Sequence, residues 1–305
     1  MANKFFQPNP LVFGGTEYMA SLFQQHVKVH ADILLAYHCF LLPGYLPPIA
    51  DLLKDDKEII IWLHNPFNQF DSQLLFDLSH PDIKKRIKAV VVVSNYLKAS
   101  VLSELSIEKE KVFVIPNVVA PIENDLSRFR DVRKVKAIYT SSADRGLDVL
   151  FDALPLISEE FELAVFSNYY PDFAAEIAPI DSRVTFYGST PRSTVIKYLS
   201  QSHIFAYPCT FNETFCLSLG EAISANCLPV YRDQAALIEI GSRCGMVYSA
   251  DTNNHAQVFA EQMSEAIQRV KSNAYDPVNS AQRIREKYAL PLFIDKWIEL
   301  FDKLT

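Results

Sequence analysis

Short apolar runs rich in β-branched and aromatic residues alternate along the chain with stretches whose apolar positions recur every three or four residues. That alternation is the βαβα rhythm of a parallel sheet covered on both faces. In the first half, Ala31–Tyr37, Glu58–Leu63, Ala89–Ser94 and Val112–Ile115 predict strands, and Thr16–His26 and Asn95–Leu105 predict helices. The rhythm pauses after Pro116. Residues Ala120 to Lys136 are crowded with charge and carry little periodic apolar signal, which marks a crossing between two domains and a hinge for their closure. It then restarts, with strands predicted at Val135–Thr140, Phe161–Phe166, Val184–Tyr187, His203–Tyr207, Leu228–Tyr231 and Met246–Tyr248. Near the end, Phe293, Trp297, Leu300, Phe301 and Leu304 fall at helical spacing, a stripe that needs an apolar surface to lie on.

A length of 305 residues fits two domains at about 150 residues each. The chain carries 36 acidic against 29 basic residues, a net charge of −7, which argues against a broad grip on nucleic acid or anionic membrane but leaves room for a local basic pocket. No apolar run reaches the roughly 18 residues of a membrane span, and Met1 to Pro10 lacks the pattern of a secretory signal. A cytoplasmic chain with no transmembrane segment is expected, peripheral membrane contact staying open. The five cysteines, Cys39, Cys209, Cys216, Cys227 and Cys244, are odd in number and widely spaced, as reduced core thiols would be. The chain has no G-x-G-x-x-G, P-loop, H-E-x-x-H or paired C-x-x-C motif, and no Asp-x-Asp pair to hold a divalent ion against a diphosphate. Any nucleotide site must then use protein donors.

In a doubly wound sheet, ligands lie beyond the carboxyl ends of the strands, where helix N-termini present N–H groups and the positive end of their dipole. The richest such junction runs from Tyr207 to Leu217, between a strand and a helix reaching about Ala225, with Glu213 at its mouth. Phe215, Leu219, Ala222 and Ile223 form the apolar stripe of that helix, and Glu221 falls roughly 145° from its centre. Two carboxylates flanking the amides of Thr214, Phe215, Cys216 and Leu217 suit a ligand with hydroxyls and phosphates. The same pair also suits a Glu213 that complements the helix dipole and a solvated Glu221.

The segment Glu213-Thr214-Phe215-Cys216-Leu217-Ser218-Leu219-Gly220-Glu221 resembles the E-x7-E segment of family 4 glycosyltransferases, enzymes of the GT-B fold. Four other stretches agree in order: Gly14-Gly15-Thr16-Glu17, Trp62-Leu63-His64-Asn65, Val114-Ile115-Pro116-Asn117, and Tyr139 to Leu147 around Arg145. The resemblance implies two doubly wound Rossmann-like domains facing across a cleft. Residues 1–120 would form the acceptor side and 121–290 the nucleotide-sugar side, with 291–305 a helix packing back on the first domain. The chain departs from the family pattern at Ser141 and Ser142, where a second basic residue is usual, and at Phe166-Ser167-Asn168, where a glycine-rich strand end is usual.

The resemblance also implies roles. Glu221 would hold the ribose of a nucleotide-diphosphate sugar and Glu213 the hydroxyls of the transferred sugar. The amides of Thr214 to Leu217 would meet sugar and diphosphate, and Arg145 would supply the cation. Gly14 and Gly15 would bring backbone to the phosphates. His64, which as a lone histidine ending an apolar strand reads as structural, would lie beside the sugar. The implied reaction is retaining, metal-independent transfer to an acceptor hydroxyl on a glycan, lipid or protein-linked sugar, with no cofactor. A nucleotide-sugar epimerase of the same fold and a catalytically silent glycan- or partner-binding relative are the alternatives.

Overall fold

The computed structural model describes Phe6 and residues 14–42, 48–66, 78–167, 181–249, 251 and 253–305. It divides into two compact units, Met1–Val118 with Tyr288–Thr305, and Val119–Lys287.

The first unit is built on a parallel sheet of four strands in the order β1-β2-β3-β4, comprising Tyr37–Leu42, Glu58–Leu63, Ile87–Val92 and Val112–Val114. Ile59 to Leu63 and Ala89 to Val92 are buried without alternation, because helices cover both faces of the sheet. Helix α1 spans Gly15–His26. The strand expected over Ala31–Tyr37 is instead helix α2, Ala31–Ala36, followed directly by β1. Its alanines and leucines are good helix formers and Asp32 complements the first turn, so one apolar run conceals two elements. Helix α3 is Pro81–Arg86. Helix α4, Asn95–Leu105, is capped by Ser94, whose hydroxyl accepts from Leu97 N–H at 3.1 Å, and it buries Leu97, Val101 and Leu105. The helix Leu290–Leu304 belongs to this unit and buries Phe293, Trp297, Leu300 and Phe301 of the expected stripe. The Trp297 ring lies 4.8 Å from Phe23, 5.0 Å from Trp62 and 5.3 Å from Phe6, centroid to centroid.

The second unit holds a parallel sheet of six strands in the order β10-β9-β8-β5-β6-β7. They are β5 Val135–Thr140, β6 Phe161–Phe166, β7 Val184–Phe186, β8 Ile204–Tyr207, β9 Leu228–Asp233 and β10 Met246–Ser249, each within two residues of its expected bounds. The chain starts in the middle at β5, builds outward to β7, crosses back to β8 and builds the other way. Strand order therefore reverses between β5 and β8, the switch point at which doubly wound sheets open a crevice. Among the described residues its α-helices are α5 Leu147–Ala153, α6 Arg192–Leu199, α7 Leu217–Ser224, α8 Leu237–Gly241, α9 His255–Lys271 and α10 Val278–Lys287.

The charged segment after Ala120 is fastened to this second unit. Arg128 donates to the carbonyls of Ser202 (3.1 Å) and Ala225 (2.6 Å), Asn124 to Ala225 (3.0 Å), and Arg285 to Ile122 (2.9 Å). Arg128 and Asn124 of this segment thus serve carbonyls at element ends, while Glu123, Asp125, Arg130, Asp131, Arg133 and Lys134 are exposed. All five cysteines are unpaired and buried. Among the described residues no helix is long and apolar enough to cross a membrane.

Candidate active site

The two loops that leave the switch point, Ser141–Gly146 after β5 and Pro208–Cys216 after β8, meet through side chains. Arg145 Nε lies 3.2 Å from Glu213 Oε1, and its guanidinium carbon lies 3.2 Å from the centroid of the Phe211 ring. Arg145 Nη1 is also 2.8 Å from Asp144 Oδ2. The Tyr207 hydroxyl, at the end of β8, donates to the same Glu213 Oε1 at 2.8 Å. Arg145 and Tyr207 therefore converge on one carboxylate oxygen of Glu213. Burial pushes the Glu213 carboxyl above its usual range, while Arg145 and Tyr207 pull it back.

The Glu213 loop is held from the residues that follow β9. Ala236 N–H donates to the Glu213 carbonyl at 3.0 Å, and the Gln234 amide donates to the Thr210 carbonyl at 3.0 Å and to Asn212 Oδ1 at 2.6 Å. Helix α7 opens at Leu217, later than expected, after Cys216 at φ 66° and ψ 77°. Phe215 and Cys216 are packed inside at 2% and 7% exposure. Of the four residues expected to offer amides, Thr214, Phe215 and Cys216 thus precede the helix, and Leu217 alone lies in its first turn. A left-handed cysteine is uncommon, so nothing in the local sequence pattern marks this turn.

Glu221 is 4% exposed and is not the solvated acid that the helical wheel allows. The wheel considers the sheet alone, whereas α7 lies between the sheet and helices α8 and α10. Its carboxylate is paired through Oε1 with Arg192 Nη2, from the first residue of α6. Burial raises the Glu221 carboxyl above its usual range and Arg192 draws it down. The sequence reading missed Arg192. Its signal was a basic residue opening a helix whose first turn holds no acid.

Gly14, Gly15 and His64 belong to the first unit. Gly14 caps α1 in an extended conformation, φ −120° and ψ −165°, and donates its N–H to Glu17 Oε2 at 2.9 Å. Both glycines are exposed. His64 follows β2, donates its backbone N–H to the Leu42 carbonyl at 2.8 Å, and sets its ring 4.8 Å from that of Trp62. At 4% exposure, burial drives the imidazole pKa down to about 3, so the ring is neutral at any working pH. Among the described residues no group of three His, Cys, Asp or Glu side chains is placed to hold a metal ion. Asn168 lies outside the described residues.

Residues 133–287 match the protein family described as glycosyl transferases, group 1. No curated protein matches the chain in sequence. Among solved structures it is similar to HepE of Anabaena in complex with UDP and glucose, with TM-score 0.68 and 15% identity over 81% of this chain and 72% of that one. It is also similar to a glycosyltransferase from Rickettsia africae (TM-score 0.66, 15% identity, 97% of this chain and 82% of that one). A third is sucrose-phosphate synthase from Thermosynechococcus elongatus (TM-score 0.65, 16% identity, 84% and 70%). At such identities the likeness is one of fold, and that fold is GT-B, with two Rossmann-like α/β domains.

Proposed function

The chain belongs to the group 1 glycosyl transferases, and from that premise we propose that it moves a sugar from a nucleotide-diphosphate donor to an acceptor hydroxyl, with retention and without an essential metal. The observation that carries this reading is a pair of acids at the switch point, the half-buried Glu213 in the loop before α7 and the buried Glu221 within that helix, each beside an arginine: Glu213 with Arg145, and Glu221 with Arg192.

In this reading Glu221 accepts hydrogen bonds from the donor ribose, and Glu213 Oε2 accepts from hydroxyls of the transferred sugar. The residues from Thr214 to Leu217 wrap the sugar and diphosphate, the α7 dipole favouring the anion. Arg145 neutralises charge that grows on the leaving diphosphate, the role a metal would otherwise fill. For His64, Gly14 and Gly15 the proposal keeps the roles that the family resemblance implies, a neutral hydrogen-bonding ring for the sugar and backbone for a phosphate oxygen. The bond from the anomeric carbon to the diphosphate oxygen breaks, a bond to the acceptor oxygen forms on the same face, and the acceptor proton passes to the departing diphosphate.

A screen of UDP-, GDP- and ADP-sugars for thermal stabilisation identifies the donor, because a ligand bound only to the folded state raises the melting temperature. With donor and acceptor together, NMR of the product reads the anomeric outcome, and EDTA leaves the rate unchanged. Glu213→Gln lowers turnover more than nucleoside diphosphate affinity, whereas Glu221→Gln weakens that affinity by about 1.5–3 kcal/mol. Conversion of donor without acceptor would mark an epimerase, and no nucleotide binding at all would mark a silent module.

A further inference from the structure

The carboxylate of Glu221 is almost wholly removed from water, with 6% of its side chain exposed, and its charged neighbour is Arg192 at 30%. Arg192 is the first residue of α6, a position where the helix dipole disfavours a cation and where no acid of the first turn offsets it. An arginine placed against that gradient needs a compensating partner, and Glu221 is that partner. The contact is made to Oε1 of the carboxylate.

We propose that Arg192 is a positioning residue of the donor site, holding Glu221 ionised and in one orientation so that a nucleoside diphosphate ribose meets a fixed acceptor. This rests on the reading of Glu221 as the ribose-binding acid. Ionised carboxylates accept stronger hydrogen bonds than protonated ones, and a bond to a fixed partner loses less entropy. The other ionisable groups on the elements packed against α7 are Tyr207 of β8, Tyr231, Arg232 and Asp233 of β9, Glu239 of α8, and Arg283, Arg285, Glu286 and Lys287 of α10. Tyr207 serves Glu213, Arg285 the carbonyls of Ser224 and Ile122, and Lys287 the carbonyl of Glu239. Of all these charges, Arg192 is the one that acts on Glu221.

The test measures UDP, GDP and ADP affinity by calorimetry from about pH 6 to about pH 8.5, above the ordinary carboxylate range. It compares the wild-type protein with Arg192→Met, Arg192→Lys and Glu221→Gln, using the tightest of the three nucleotides. Titration of the nucleotide phosphate is common to all four proteins and cancels in their ratios. Arg192→Met is expected to weaken binding about tenfold or more at the acid end and to recover part of that loss at the alkaline end as Glu221 ionises. Arg192→Lys stays within about threefold of wild type, since its ammonium keeps the charge.

A second readout needs no ligand: the side-chain carboxyl carbon of Glu221, followed by NMR, titrates at higher pH in Arg192→Met than in wild type. A Glu221→Gln variant that loses affinity beside an Arg192→Met variant with unchanged affinity, or with a loss equal at every pH, overturns the positioning role and leaves the ribose reading standing. Wild-type affinity in Glu221→Gln, or no binding by wild type, overturns both.

Discussion

Gly146 lies against the backbone of Pro208, so close that a Cβ at position 146 would stand 2.2 Å from the Pro208 carbonyl oxygen. Its φ of +87° adds a second reason for glycine, since L side chains rarely adopt that conformation. This approach joins the loop carrying Arg145 to the loop carrying Glu213, and it explains why a glycine follows Arg145 directly. Gly146→Ala is expected to cost about 1–2 kcal/mol from the backbone conformation, plus the displacement of Pro208, and to weaken nucleoside diphosphate binding. Gly188, at φ +67° with nothing within 4 Å of its Cβ position, is the control. If urea unfolding finds the two alanine variants equally mild, the nesting of the two loops does not set the site.

Tyr207 is wholly buried and gives its hydroxyl proton to Glu213. Without that donor the ionised carboxylate loses a hydrogen bond worth about 1.5–3 kcal/mol, and its pKa rises further above the usual range. An ionised Glu213 then requires a higher pH. Tyr207→Phe should therefore move the acid limb of the kcat profile upward while leaving the alkaline side in place. An unshifted acid limb would mean that Glu213 does not work as the anion.

The second unit was largely legible in the sequence because each parallel strand, buried on both faces, writes itself as an uninterrupted apolar run between polar turns. The same property misled at Ala31–Tyr37, where the apolar run gives length but not period, and helix and strand abut without a turn residue. In the site, Glu213 and Glu221 stood out as acids around one strand-to-helix junction and Arg145 through the family resemblance, and the fold brings Arg145 against Glu213. Arg192 did not stand out, since α6 and α7 are brought together by the fold and no local pattern links position 192 to 221. Cys216 hid the true start of α7 for a related reason. Its left-handed conformation is imposed by packing, and no glycine or asparagine announces it.

The neutral state of His64 has a consequence for stability. Its folded pKa, about 3, lies below the ordinary value near 6.5, so as the pH falls the unfolded chain takes up the proton first. Stability that is complete above about pH 6.5 is lost progressively on the way down to about pH 3, by about 2 kcal/mol at pH 5 from this group. His203, also lowered by burial, acts in the same direction, so the reading must be a difference between proteins. Between pH 7.5 and 5, His64→Asn should lose less unfolding free energy than wild type, as read from denaturant midpoints. Equal losses would place the imidazole in contact with water.

Trp62 and Trp297 are the two tryptophans of the chain, and both lie wholly buried in the first unit with rings 5.0 Å apart. Indole fluorescence therefore reports on that unit alone, while circular dichroism reports on both. Trp297 also packs on Phe6, Phe23 and Phe301, so its removal empties the centre of the aromatic cluster that joins the helix Leu290–Leu304 to α1 and β2. Trp297→Ala is expected to destabilise the first unit by about 3–5 kcal/mol, and Trp297→Phe by less because most of the ring volume stays. In the alanine variant the fluorescence of Trp62 should change at lower denaturant, ahead of a dichroism transition that the second unit carries at its original midpoint. Hydrogen exchange should rise in Leu290–Leu304 and Gly15–His26 while β5, β8 and β9 keep their protection. Exchange that rises equally in both units would show that the chain unfolds as one cooperative body, and that the cluster around Trp297 stabilises the whole of it.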